Sequence, residues 1–361
     1  MLAKRPAHRP GTADEVVNVA ELLLSTRIAF STGADLLIDG GATASWYYGL
    51  FRPQSRKRKR EKIMNEVMQV TLSNGVTMPQ LGYGVYQVTR EECERCVTDA
   101  LAVGYRHIDT AQSYFNETEV GAAIRKSGIP RKDIFLTTKV WIEHYGYDAC
   151  RASVMQSLER LGTDYIDLVL LHQPFSDYYG AWRALEDLYV QGVLRAIGVS
   201  NFAPDRLVDL CSFSRISPMV NQVETHPHNQ QAEAHEWMKK YGVQHEAWAP
   251  FGEGRGGLFT DPVISGIARK YGRSTAQVML RWALQRGIVV IPKSVHKERM
   301  EQNFRVFDFA LSDEDMAAMT ALDKKTSSFF SHTDPNMVEW FVRMVEERKN
   351  NTGNGSTEKN W

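Results

Sequence analysis

From residue 67 onward, short apolar runs of four to six residues alternate with longer stretches in which apolar side chains recur every three or four positions. The first pattern predicts strands and the second predicts amphipathic helices. Strand candidates lie at 81–86 (LGYGVY), 106–109 (RHID), 134–139 (IFLTTK), 166–171 (IDLVLL), 194–199 (LRAIGV), 219–223 (MVNQV), 243–248 (VQHEAW) and 288–291 (IVVI). Between them run helical stretches such as EECERCVTDALAVG, YDACRASVMQSLERLG and SDYYGAWRALEDLYVQG. Two separate helical segments, DPVISGIARKYG and STAQVMLRWALQRG, precede the last strand, so one additional helix is expected there. A hairpin turning at Asn74-Gly75 is expected ahead of the first strand, and SDEDMAAMTAL forms a final helical piece. Eight strands separated by helices predict an α/β chain folded as a parallel (β/α)8 TIM barrel.

The pattern before residue 67 is different. RPGTADEVVNVAELLLS reads as one helix and STGADLLIDGGATAS as one strand, and a single helix with a single strand cannot close a core. This piece, 1–51, resembles the C-terminal end of a short-chain dehydrogenase. That family's glycine-rich dinucleotide turn and its Tyr-x-x-x-Lys pair are missing, so no dehydrogenase activity is expected of it, alone or in a bifunctional fusion. A basic stretch follows, RPQSRKRKREK, within a linker at 52–66. It reads as a solvated connection, and Met64 as an alternative start. The expected organisation is therefore a fragment at 1–51, the linker at 52–66, the barrel at 67–323 and a C-terminal segment at 324–361. That segment ends in a polar tail, NNTGNGSTEKNW, expected to lack structure.

Composition narrows the partners. Lys+Arg and Asp+Glu both number 43, so no net field draws the chain to nucleic acid or to an anionic membrane. No apolar run approaches a membrane span, and the first residues lack the apolar core of a signal peptide. A cytoplasmic protein is expected. Four cysteines are too few for a disulfide framework. Cys93 and Cys96 make a C-x-x-C without a second ligand pair, so they read as ordinary helix residues and no metal is expected.

The chemistry gathers at strand ends. Asp109 closes the second strand, Lys139 the third and His172 the fourth, while Tyr114 lies on the loop after the second. In a barrel these ends share one mouth. A phenol is a reluctant acid, and a neighbouring ammonium is expected to lower its pKa. Asp109 holds that ammonium, Tyr114 becomes the general acid, and His172 hydrogen-bonds a carbonyl oxygen as charge develops on it. The quartet is an apparatus for protonating a carbonyl.

The segments GYRHIDTAQSYFNE, LTTKVW, LGTDYIDLVLLHQP, VLRAIGVSNF, MVNQVE and VVIPKSVHKERMEQNF, in this order, resemble those of the aldo-keto reductases over residues 67–323. The resemblance is nearest to prokaryotic-type members that act on 2,5-diketogluconate, methylglyoxal and related small carbonyls. It implies a barrel that uses NADPH without a Rossmann fold, with Tyr114 as proton donor, Lys139 and Asp109 tuning it, and His172 orienting the substrate. By analogy with the fold a monomer is expected. Two departures stand out. Gln173 replaces the family's frequent tryptophan, and the loop 174–180 is short, so a more open, less aromatic pocket is expected. Relatives that serve as cofactor-binding regulatory subunits supply the alternative function.

A hydride donor needs its own site. GEGRGG at 252–257 satisfies G-x-G-x-x-G but follows the seventh barrel strand, so it reads as a loop folding over a pyrophosphate, not as a Rossmann turn. Ser200, Asn201 and Gln222 offer donors and acceptors suited to a nicotinamide carboxamide. Trp248 offers a stacking face, where the family more often has tyrosine, and Pro250 and Gly252 follow it at the cofactor. Lys293, Ser294 and Arg299 form a cationic, hydroxyl-bearing cluster suited to a 2′-phosphate, with Gln302 and Asn303 facing the adenine. Tyr86 and Trp141, beside the first and third strand ends, are expected to line the substrate pocket with His172. The C-terminal stretch SSFFSHTDPNMVEWF is expected to cover part of the mouth.

Overall fold

The computed structural model describes residues 68–352, with side chains up to Arg348. The expected fragment at 1–51, the linker at 52–66 and the tail beyond 352 lie outside the described residues. The hairpin forms as expected, pairing β1 (Gln69–Thr71) with β2 (Thr77–Pro79) in antiparallel fashion. Gly75 takes the left-handed conformation at its turn (φ 86°), and Asn74 Oδ1 accepts a hydrogen bond from Val76 N. The hairpin adds Leu72 and Met78 to the core.

Eight parallel strands follow: β3 (Tyr83–Gly84), β4 (His107–Asp109), β5 (Phe135–Val140), β6 (Leu168–Leu171), β7 (Ile197–Ser200), β8 (Val220–Glu224), β9 (Gln244–Trp248) and β10 (Val289–Val290). Each pairs with the next in chain order. The first and last meet through a parallel bridge between Leu81 and Val290, backed by Gly82 N to Val290 O at 2.8 Å and Val290 N to Gln80 O at 2.9 Å. The sheet thus closes on itself as a (β/α)8 barrel. Strands buried on both faces explain why their sequences read as apolar runs without alternation.

The helices cover the outside in chain order: α1 (Arg90–Val103), α2 (Glu117–Lys126), α3 (Tyr147–Leu161), α4 (Tyr178–Val190), α5 (Pro204–Phe213) and α6 (Ala232–Lys240). α7 (Pro262–Tyr271) and α8 (Thr275–Gln285) both lie between β9 and β10, so the additional helix is present. α9 (Lys297–Phe304), α10 (Asp313–Thr320) and α11 (Pro335–Thr352) complete the described chain. In α1 the buried positions are Cys93, Cys96, Val97, Ala100 and Leu101, a three-and-four spacing that aims one stripe at the sheet. Ser274 opens α8 with a capping box to Gln277. α4 seats Trp182, whose indole donates to Ile216 O at 3.0 Å, so its large apolar area is buried without stranding its N–H. The tail expected to lack structure from residue 350 is helical up to Thr352. No helix among the described residues is long and apolar enough to cross a membrane.

Candidate active site

The strand ends bring the quartet together. Asp109 ends β4, Lys139 is the penultimate residue of β5, and His172 directly follows β6. Tyr114 ends a single 3₁₀ turn, Gln112–Tyr114, instead of lying on an open loop. The Lys139 ammonium has three protons and three acceptors: Asp109 Oδ1 at 2.5 Å, Thr110 O at 3.1 Å and the Tyr114 hydroxyl at 3.3 Å. Lys139 is fully buried and Asp109 nearly so. The other oxygen of Asp109 accepts from Gln222 Nε2 at 2.9 Å. His172 faces Tyr114 edge-on, with ring centroids 5.7 Å apart, and its Nδ1 lies 3.4 Å from Ser113 Oγ.

The electrostatics correct one expectation. Lys139 pulls the Tyr114 phenol down, but burial pushes it up and wins, leaving it at about 12. The surrounding protein removes the water that would stabilise a phenolate, and Asp109 adds a repelling charge. Tyr114 therefore holds its proton at neutral pH. Burial also favours neutral Lys139, yet the negative charge of Asp109 and the adjoining Tyr114 outweigh it, and the lysine ends above its ordinary value. His172 is pushed well below the usual histidine range, first by burial, then by Lys139, His332 and Arg348. It is a neutral imidazole at physiological pH.

A hydrogen-bonded scaffold that the sequence pattern does not reveal holds the Tyr114 turn. Thr110 Oγ1 donates to Asn116 Oδ1 at 2.8 Å, and Asn116 Nδ2 donates to Val85 O and Val88 O. Gln112 Oε1 accepts from Trp141 N at 3.0 Å, while its Nε2 donates to Ser157 Oγ at 3.1 Å. Ser157 in turn meets Glu117, which also takes Thr138 Oγ1 at 2.6 Å and Arg160 Nε at 2.7 Å. Gln112 thus couples the turn bearing Tyr114 to the end of β5. Polar residues in this run carry no periodic signal, and Gln112 is hidden between two more obvious candidates.

The pocket walls correct a second expectation. Tyr86 is half-exposed at the mouth and packs 5.0 Å from Tyr114. Trp141 is buried and meets the His172 ring edge-on at 4.9 Å. The wall is strongly aromatic despite Gln173 and the short loop, because α11 brings Phe341 against Trp141, Phe175 and Phe330 at 6.0, 5.3 and 5.8 Å. Phe341 is 3% exposed. The Arg348 guanidinium lies over both Phe115 and Trp141. The expectation that SSFFSHTDPNMVEWF covers part of the mouth agrees with this packing.

The residues expected at a cofactor fall into two groups. Ser200, Asn201, Gln222 and Trp248 ring the mouth and are tied to one another. Ser200 Oγ donates to Gln222 O at 2.8 Å, Asn201 Nδ2 donates to His172 O at 3.1 Å, and Trp248 Nε1 donates to Asn201 Oδ1 at 2.8 Å. Asn201 adopts a left-handed backbone (φ 65°), which turns its amide between His172 and Trp248. Pro250 and Gly252 are buried, with Leu258, Ser328 and His226 around Gly252. From Gly252 to Thr260 the GEGRGG loop runs as irregular turns with several positive-φ glycines, and Arg255 stacks on Phe329 at 4.6 Å. The second group surrounds the start of α9. Ser294 is buried and caps the turn by accepting from His296 N at 3.1 Å. Asn303 is buried, whereas Lys293, Arg299 and Gln302 are exposed. Neither Lys293 nor Arg299 forms an ion pair among the described residues. Two exposed cations without an ion pair among the described residues fit the phosphate of an anionic ligand.

A parallel barrel whose mouth gathers a protonated phenol, a carboxylate-bound ammonium and a neutral imidazole defines an oxidoreductase of carbonyl groups. The family model for the aldo/keto reductase family matches residues 71–324. The chain belongs to that family. It is 48% identical over 258 residues to an aldo-keto reductase of Mycolicibacterium smegmatis, covering 71% of this chain and 93% of the relative. It is 48% identical over 257 residues to the glyoxal reductase of Bacillus subtilis, covering 71% and 92%. A Bombyx mori aldo-keto reductase solved in complex with NADP superposes with a TM-score of 0.70 at 34% identity, over 73% of this chain and 95% of that one.

Proposed function

We propose that this enzyme reduces small aldehydes and ketones to alcohols with NADPH, with Tyr114 as the proton donor. The observation that carries the reading is Lys139 Nζ bridging Asp109 Oδ1 and the Tyr114 hydroxyl at the barrel mouth. NADPH, when bound, supplies the hydride. Trp248 offers its ring face to the nicotinamide, and Asn201 and Gln222 hold the surrounding amide network. Lys293 and Arg299 neutralise the 2′-phosphate, which favours NADPH over NADH, with Ser294, Gln302 and Asn303 beside them. Neutral His172 donates a hydrogen bond to the substrate oxygen and fixes it near Tyr114. Tyr114 then transfers its proton to that oxygen. Lys139 stabilises the phenolate left behind, and Asp109 keeps Lys139 charged and in place. Tyr86, Trp141 and Phe341 exclude water from the reacting carbonyl. Methylglyoxal and 2,5-diketogluconate are the substrates of first choice.

The test is NADPH oxidation with methylglyoxal, aromatic aldehydes and 2,5-diketogluconate, for wild type and Tyr114→Phe. Wild type is expected to turn over at least one of them, and the variant to lose roughly 10²–10⁴-fold in kcat, the range for a removed general acid. Substantial activity in Tyr114→Phe refutes the assignment of the donor. Tight NADPH binding by wild type without turnover on any substrate refutes the reductase reading.

A further inference from the structure

The barrel interior holds a second carboxyl that this chemistry does not use. Glu246 lies in β9 two residues before Trp248, so strand alternation turns both side chains to the same face. It is fully buried. The titratable groups facing it across the barrel are His107 and Asp109 from β4 and Lys139 from β5. Beside it, β8 presents Gln222 in register, and β10 presents the apolar Val289. His107 Nε2 stands 3.6 Å from Glu246 Oε1, beyond hydrogen-bonding distance, and is itself 3.1 Å from Thr137 Oγ1. Neither oxygen of Glu246 has a well-aligned hydrogen-bond donor among the described residues, and the Gln222 amide beside it gives only partial support.

No cation pairs directly with this carboxyl among the described residues, although the charge of Lys139 reaches it. The three protons of Lys139 are directed at Asp109, Thr110 and Tyr114. His107 is held neutral by burial, helped by the charge of Lys139. An ionised Glu246 would place a second negative charge beside Asp109 without a cation of its own. Buried groups in that position keep a proton instead. Burial, and then repulsion from Asp109, outweigh the opposing pull of Gln222 and Lys139 and push the Glu246 carboxyl up to about 8.

We propose that Glu246 is a positioning residue kept in its protonated form, which leaves Asp109 as the one counter-charge of Lys139, and that its ionisation sets the alkaline limit of carbonyl reduction. The proposal rests on the reductase reading. Loss of the Glu246 proton to solvent puts a second anion beneath Lys139. That draws the ammonium inward, away from Tyr114, and strengthens the hold of Tyr114 on its proton. Proton transfer to the substrate oxygen then slows. Glu246 touches neither substrate nor the reacting atoms and acts through Lys139.

The experiment follows the kcat of NADPH-dependent methylglyoxal reduction from pH 6 to 10 for wild type and Glu246→Gln, each normalised to its own value at pH 6.5. Urea unfolding of both proteins is measured over the same range. Wild type is expected to lose activity through a limb near pH 8. In the permanently neutral variant that limb moves up by about one pH unit or more. The unfolding data give an independent readout. A carboxyl whose folded pKa exceeds its unfolded value binds an extra proton in the native state, so its contribution falls as pH rises between the two. Glu246→Gln lacks that loss, and its stability relative to wild type must climb between about pH 5 and pH 8. An unchanged alkaline limb, or stability curves that run parallel, overturns the proposal. If wild type reduces nothing while the stability curves diverge, the reductase reading fails and the protonated state of Glu246 stands.

Discussion

At the scale of single residues, the site is governed by one buried cation with three acceptors. Lys139 and Asp109 form an ion pair out of reach of solvent, and such a pair is weak evidence of stability but costly to break. Lys139→Met strips Asp109 of its counter-charge and leaves a buried carboxyl to be protonated or solvated. Unfolding should become easier by about 3–5 kcal/mol. Adding Asp109→Asn removes the stranded charge, so the double variant should recover most of that loss while remaining inactive. Urea denaturation of the two variants and wild type checks the pairing; equal destabilisation by the single and double changes would contradict it. Asp109, Lys139 and His172 are legible in the sequence because each stands where an apolar run stops, and Tyr114 because it follows Asp109 five residues on. The direction of the Tyr114 shift is not. Its neighbour Lys139 can be read from the strand pattern, but desolvation depends on everything packed around the ring. Glu246 is within reach of the same reading, since Gln244, Glu246 and Trp248 alternate along one strand face.

At the scale of elements, the barrel depends on close approaches that few residues permit. Gly121 in α2 faces the C-terminal end of α3, and a Cβ added there would stand 2.2 Å from Leu161 O. Backbone cannot yield as a flexible side chain does. Intrinsic helix propensity favours alanine over glycine by about 1 kcal/mol, but the overlap opposes it. Gly121→Ala is therefore expected to destabilise by a net amount of about 1–3 kcal/mol. A higher urea midpoint for the variant would show that propensity wins and that the two helices part without cost. The order of strands and helices is readable from periodicity, including the additional helix before β10, because parallel strands buried on both faces read as uninterrupted apolar runs. The 3₁₀ turn carrying Tyr114 is not, since its shape comes from Thr110, Asn116 and Gln112 bonding to distant backbone and side chains.

At the scale of the whole molecule, the barrel supplies the reacting groups and the C-terminal segment supplies much of the aromatic wall. That segment is fastened by hydrogen bonds at Glu224. Ser327 Oγ donates to Glu224 Oε2 at 2.5 Å and Ser328 N donates to Oε1 at 2.7 Å. His226 Nε2 lies 2.8 Å from the same carboxylate and 3.1 Å from Ser328 Oγ. Just beyond the fastening, Phe329 packs on Trp248 at 5.2 Å, and α11 then carries Phe341 to Trp141. Burial raises the Glu224 carboxyl, but bonds from His226, Ser327 and Ser328 outweigh it and hold it below the ordinary value. A depressed carboxyl contributes stability that is full above its unfolded pKa and lost as pH falls through the lower folded value. The fastening is therefore intact at neutral pH and weakens in acid. Glu224→Ala removes the acceptor of charge-assisted bonds, each worth about 1.5–3 kcal/mol. Backbone amides of residues 327–345 should then exchange with solvent roughly ten to a hundred times faster, while those of β5 and β6 keep their protection. Hydrogen-exchange mass spectrometry at pH 7 reads both regions in one experiment. Faster exchange throughout the barrel would mean that Glu224 supports the core, and unchanged exchange in 327–345 would mean that the aromatic contacts hold the segment by themselves.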